Sequence, residues 1–326
     1  MVFVSKTLNE SIIMNLINRY VDVINGSYHL MKCSTNKPFW MDFSESLVDL
    51  IRKNNYYRTE FSYIVIAIGI ISFIRYLIFN VIGNILITKG ILLEKHRNKF
   101  CQDFWVFIFR TQVFLLAWNI YNETTKTFNN DDIGMIIEFK IKLLYLLTTS
   151  EYIHSTCLLM LGYNHDKDAS IWIIHHTIGI ILFLLSYILR LDFLVIAGIY
   201  MLEVTDLFIF SKCFLKLQIN LLKKYINYLR VNVFIISLFV WCFSRLYSYP
   251  LIFSPIAIDH FKQFCHLDQG SIYIFIYGLL ILIHLTNFYW TFTLAKVTLI
   301  LIRKGITANI EDARDLNYTS DEKKIE

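Results

Sequence analysis

Two apolar runs near the middle of the chain, joined by a short polar break, constrain what the rest can be. Residues 171–212 read IWIIHHTIGIILFLLSYILRLDFLVIAGIYMLEVTDLFIFSK, and Arg190-Leu191-Asp192 is the break. Each run is close to the ~20 apolar residues that a helix needs to cross a ~30 Å hydrocarbon layer. The pattern predicts two transmembrane helices in a hairpin. The first carries His175 and His176 one turn inside its start, and the second carries Glu203 and Asp206. Ionisable side chains at such depth are costly, and they point to a cavity lined by protein rather than to a surface in lipid.

Composition extends this reading to the whole chain. It is 56% hydrophobic and only 17% charged, against about 45–50% and about 25% in soluble domains. Further apolar runs at 61–79, 104–121, 141–161, 231–253 and 272–300 bring the expected total to about seven spans in an all-α polytopic membrane protein. No strongly apolar run precedes Phe61, so no cleavable signal peptide is expected. None of the six cysteines forms a CxxC or Cys/His pattern, and Cys157, Cys213 and Cys242 sit inside apolar runs, where cysteine behaves as a small core residue. The chain divides into a segment at 1–60, a first span at 61–80, a main domain at 98–303 and a tail at 304–326 of mixed charge and no apolar pattern, expected to be disordered. No nucleic-acid partner is expected.

Charge sets the orientation. With the N-terminus in the lumen, the cytosolic segments are 80–103, 162–170, 211–230 and the tail, and three of these four carry a Lys/Arg excess, as the positive-inside rule requires. The opposite side receives the acidic loop at 122–138 and the sequons at Asn9, Asn25 and Asn122. His175 and His176 then lie about one turn below the cytosolic surface, and Asp206 about two turns below it at ~1.5 Å per residue. Glu203 and Asp206 are three residues apart and share one helix face.

Adjacent histidines project about 100° apart, so both can line one broad cavity. A neutral imidazole takes a proton or attacks an activated acyl carbonyl, and a neighbouring carboxylate fixes its tautomer. The set suits acyl transfer from a thioester to an amine or hydroxyl, with either histidine accepting the acyl group or the proton, Asp206 orienting it and Glu203 assisting. The competing reading makes the same residues structural polar contacts between helices. Metal binding is disfavoured, because the nine histidines form no HxxxH or HxxHH box and position 172 is Trp172. His154 and His284 read as packed histidines.

At these residues the chain resembles the TLC domain, and within it the ceramide synthases, sphingoid-base N-acyltransferases of the endoplasmic reticulum. His175-His176 match the family's paired histidines, Ser186-Tyr187 its Ser-Tyr pair, and Glu203 and Asp206 the two acids of its HDxxD segment. Similar segments are Lys99-Phe100 with Trp105, Arg245-Leu246 with Pro250, Phe288-Tyr289-Trp290, and the acidic tail with Thr319-Ser320. The chain departs from the pattern at Leu202, where the family has a histidine, and at Arg190, Phe193 and Phe210. The resemblance implies a barrel of six helices around a central cavity and transfer of a fatty acyl group from acyl-CoA to a sphingoid base. It further implies substrate contacts from Ser186, Tyr187, Arg245 and Trp290, and no tightly bound cofactor beyond acyl-CoA as co-substrate. It also implies a multi-pass protein of the endoplasmic reticulum membrane, and is compatible with a homo- or heterodimer. Leu202 favours a second reading, a catalytically silent TLC protein that binds lipid or assists membrane insertion. A fatty-acyl elongase would need the histidine box that Trp172 interrupts.

The orientation is testable directly. Glycosidase treatment should increase the gel mobility of the expressed chain, and Asn9→Gln with Asn25→Gln should remove that shift; labelling of residues 1–60 from the cytosol would reverse the assignment.

Overall fold

A computed structural model of the chain describes residues 2–31, 38–53, 57–126, 131–162, 168–217, 225–263 and 270–304. Cys33, Cys265 and the tail at 305–326 lie outside the described residues. The described residues are almost entirely helical and include no strand, as the apolar periodicity implied. We number the main helices α1 (Val2–Met31), α2 (Phe39–Lys53), α3 (Tyr57–Leu77), α4 (Arg97–Lys126), α5 (Asp131–Met160), α6 (Ala169–Ile188), α7 (Asp192–Phe210), α8 (Ile226–Trp241), α9 (Ser254–Lys262) and α10 (Gly270–Lys304). The segment at 1–60 contains two helices and the first turn of a third.

Five helical stretches among the described residues are long and apolar enough to cross a membrane: Phe61–Thr88, Glu94–Thr124, Ala169–Ile188, Val231–Lys262 and Gly270–Leu299. The expected spans at 141–161 and after Asp192 are not among them. They are helices of 30 and 19 residues. On α5 the apolar pattern is interrupted by buried polar side chains, Thr148, Thr149, Ser150, Glu151 and His154. Helices that keep their polar groups inside protein need less apolar surface than helices bathed in lipid. The contrast is α3, where Phe61, Ile66 and Phe73 are all more than half exposed, as a lipid-facing helix requires.

Two backbone features shape the interior. Between α8 and α9 the helix widens into a π segment, Cys242–Phe253, around Pro250. Proline lacks the N–H that an α-helix interior uses, and π turns reset the face a helix presents. Ser244, Arg245, Ser248 and Tyr249 all end up buried. The Ser244 hydroxyl donates to the Met201 carbonyl, and the Tyr249 hydroxyl donates to Leu280 O at 3.0 Å, tying the segment to α7 and α10. The second feature is the α6–α7 turn. Leu191 N donates to Ser186 O and Arg190 N to Tyr187 O, a Schellman closure whose left-handed position glycine normally fills. Arg190 fills it here at φ 57°, and it bonds Asp192 at 3.2 Å and Glu138 at 3.4 Å. The polar break expected at these residues is therefore a cross-link to the start of α5 as well as a turn.

Helix α7 stands between two apolar cores. Its Leu194 joins Ile178, Tyr249, Phe253, Ile276 and Ile283, while Ile196 and Ile199 join Trp105, Phe109, Val113 and Leu144. It packs on α4, α8 and the π segment; α5 packs on α3, α4 and α6; and α10 packs on α6 and the π segment. The α5–α6 approach is close because Gly179 faces the Tyr152 ring. A methyl group at 179 would meet Tyr152 Cε1 at 2.7 Å and Cδ1 at 2.9 Å. Gly179→Ala should therefore lower the unfolding temperature in detergent by the equivalent of about 1–3 kcal/mol, the usual cost of overpacking. Gly69→Ala, with nothing within 4 Å of the added carbon, should be neutral in the same measurement.

Candidate functional site

The buried-charge network at the site joins five elements, α4, α5, α7, the π segment and α10. Arg110 of α4 is the hub: its Nη1 donates to Glu203 Oε1 at 2.7 Å, its Nη2 to Glu151 Oε2 at 3.4 Å, and its Nε lies 3.9 Å from Asp206 Oδ2. Arg245 of the π segment holds the other side. Its Nη2 donates to Asp206 Oδ1 at 3.3 Å and to the Leu202 carbonyl at 2.8 Å, its Nε to Thr205 Oγ1 at 3.1 Å, and its Nη1 to Asn287 Oδ1 at 3.0 Å. The guanidinium of Arg110 also lies over the Tyr152 ring, and that of Arg245 over Trp241, at 5.0 and 5.1 Å. Arg110, Arg245, Glu151 and Glu203 are each at least 95% shielded from solvent, so their charges are compensated by one another rather than by water.

The histidines occupy the neighbouring face. His175 and His176 are both buried. His175 Nδ1 lies 3.1 Å from Thr286 Oγ1 on α10, and its ring meets Trp290 edge to face at 4.9 Å. His176 is packed between Tyr152 and Trp172, with ring centres at 5.0 and 5.6 Å, and its Nδ1 has no hydrogen-bond partner. The sequence-based expectation that Asp206, with Glu203, orients a histidine is corrected here: both acids bond arginines, and the imidazole of His175 meets a hydroxyl. A guanidinium brings a full positive charge that a neutral ring lacks, and a buried carboxylate needs that charge compensated.

An apolar cavity of about 80 Å³ opens beside this cluster. His175, Tyr152 and Glu203 form its polar end, while Leu194, Phe253 and Ile276 belong to its apolar wall. Glu203 Oε2 has no hydrogen-bond partner. Of the residues expected to contact substrate, Ser186 lines the cavity, Trp290 sits against His175, and Arg245 belongs to the ion network. Tyr187 lies elsewhere, edge-on to Tyr145 at 5.2 Å. The structure thus separates the adjacent Ser186 and Tyr187. Among the described residues no cluster of three His, Cys, Asp or Glu is arranged to hold a metal ion.

Arg110, Glu151, Tyr152, Thr286 and Asn287 escaped the sequence reading. Arg110 is the only charged residue between 105 and 121, and Glu151 the only one between 143 and 161. The rule that singled out Glu203 and Asp206, an ionisable group inside an apolar run, applies equally to these two. Thr286 and Asn287 carry no such signal, since polar uncharged residues are common between packed membrane helices.

Removing the hub should unmask two buried acids. Arg110→Met is expected to destabilise the fold by about 3–5 kcal/mol, as loss of one partner of a buried ion pair does. Adding Glu151→Gln and Glu203→Gln to that variant should recover most of the loss, because no uncompensated charge then remains; thermal unfolding in detergent reads both.

Comparison with known proteins agrees with this architecture. The TLC-domain profile matches residues 99–296, more than half of the 326 residues. Ceramide synthase 1 of Homo sapiens is 24% identical over 246 residues, covering 69% of this chain and 66% of the human protein, just under two thirds of its length. The matched region contains the paired histidines, both arginines of the ion network and the residues that line the cavity, and on that ground the chain belongs to the TLC-domain family.

Proposed function

We propose that the chain is a ceramide synthase-like N-acyltransferase, moving a fatty acyl group from acyl-CoA to the amine of a sphingoid base. The observation that carries this reading is the placement of His175 and the unpartnered Glu203 Oε2 together at the polar end of an apolar cavity. In the reaction the thioester carbonyl carbon gains a bond to the amine nitrogen, the C–S bond breaks, and the amine proton leaves with the CoA thiol or a base. His175 is the nitrogen base at hand, either taking the amine proton or carrying the acyl group between thioester and amine. Both routes need one unprotonated ring nitrogen. Glu203 Oε2 is free to accept an N–H or O–H of the base's head group, while Arg110 and Arg245 hold Glu203 and Asp206 in place. His176, packed among aromatic rings, supports the wall.

Family membership and the order of helix neighbours support a six-helix barrel preceded by one further span. In it α4 adjoins α5, α5 adjoins α6, α6 adjoins α10, α10 adjoins the π segment, and α7 closes back on α4. Counting α5 and α7 as spans gives seven, with the N-terminus lumenal, the tail cytosolic and the protein in the endoplasmic reticulum membrane. Acyl-CoA would then approach from the cytosol, the side on which His175 lies. A second reading, a silent lipid-binding TLC protein, draws on Leu202 in place of the family histidine and on the engagement of both motif acids by arginines.

Expression in cells lacking their own ceramide synthases, fed a labelled sphingoid base, separates the two. N-acylated product is expected, and His175→Ala should reduce it by about 10²–10⁴-fold, the usual contribution of a positioned proton-transfer group. Glu203→Gln should weaken use of the base with a smaller effect on acyl-CoA. Product formation that His175→Ala leaves unimpaired would sink the mechanism, and lipid binding without any product would favour the silent protein.

A further inference from the structure

The geometry points to Thr286 as the positioning residue for His175: its hydroxyl fixes the ring as the Nδ1–H tautomer and leaves Nε2 as the nitrogen with the free lone pair. The inference rests on the proposal that His175 carries the chemistry, and it supplies what that proposal left open, namely which ring nitrogen does so. Thr286 Oγ1 lies 2.7 Å from the Ile283 carbonyl one turn earlier on α10, to which it donates. A hydroxyl has one proton, and the carbonyl, having none, must be the acceptor. At the 3.1 Å contact with His175 Nδ1, Oγ1 can therefore only accept. Nδ1 is the donor, and a neutral imidazole bears a single N–H, so Nε2 is bare.

Among the described residues the His175 ring has no other hydrogen-bond partner. The carboxylates of Glu203 and Asp206 bond Arg110 and Arg245, and the remaining neighbours of the ring are Trp290, Trp172, Tyr152 and His176. The two Trp contacts, edge to face at 4.9 and 6.1 Å, limit ring rotation. His176, whose Nδ1 is buried without a partner, lacks any such device. A neutral hydroxyl thus does here the orienting that the sequence assigned to a carboxylate, without placing a second negative charge beside the cavity.

Two measurements on the full-length chain test this, one of them independent of turnover. Nitrogen-15 spectra of the histidine-labelled protein in lipid bilayers, with His175 assigned by its loss in His175→Ala, should give a protonated Nδ1 and a bare Nε2. Thr286→Val should shift that tautomer ratio about tenfold, the ratio that one hydrogen bond of ordinary strength sustains. In the acyl-transfer assay Thr286→Val should lower kcat about 10–100-fold, the usual cost of losing a histidine's orienting partner, with little change in KM. Thr286→Ser should retain both the spectrum and kcat. If Thr286→Val proves unstable, Thr286→Cys, a weak acceptor of similar size, is read in its place. A protonated Nε2 in the unmodified protein overturns the inference, as does a Ser variant as impaired as the Val variant. A Thr286-dependent tautomer in a chain that forms no product would uphold the inference and reject the proposed function.

Discussion

Charge inside hydrocarbon has to be matched locally, and in this protein Arg110 does most of the matching. One guanidinium reaches acids on two other helices, Glu203 on α7 and Glu151 on α5, and comes near a third, Asp206. Because water is excluded, each of these groups depends on the others being in place, which makes the relative position of α4, α5 and α7 a matter of ångströms rather than of general apolar adhesion. Arg245 adds the π segment and, through Asn287, α10. The apolar contacts of the two cores stabilise the bundle; the ion network fixes its register.

That register in turn determines what the cavity offers. With Asp206 and one oxygen of Glu203 held by arginines, the polar end presents a single unpartnered carboxylate oxygen and one oriented imidazole. The rest of the wall is apolar and suited to a hydrocarbon chain.

The histidine pair illustrates how two identical neighbours acquire different roles. They are one residue apart, about 100° around the helix, and that angle sends one ring to Thr286 and the cavity and the other into a stack of Tyr152 and Trp172. No property of the dipeptide itself distinguishes them. The same holds for Ser186 and Tyr187, of which only the first reaches the cavity wall.

The helical class, the helical hairpin at 171–212 and the burial of His175, His176 and Glu203 were legible in the amino-acid order. Hydrocarbon tolerates only long apolar helices, and makes each ionisable group within them conspicuous. Arg110 and Glu151 were legible by the same rule and were passed over because each stands alone in its run, with no partner nearby in sequence. The chain by itself thus determined which groups cannot face lipid. It did not determine which acid meets which cation, that Arg190 would close a turn, or that a threonine 111 residues away would hold the histidine. Those pairings depend on how separate helices rotate against one another, and a rotation of one helix by a single residue's arc exchanges partners without altering its apolar pattern.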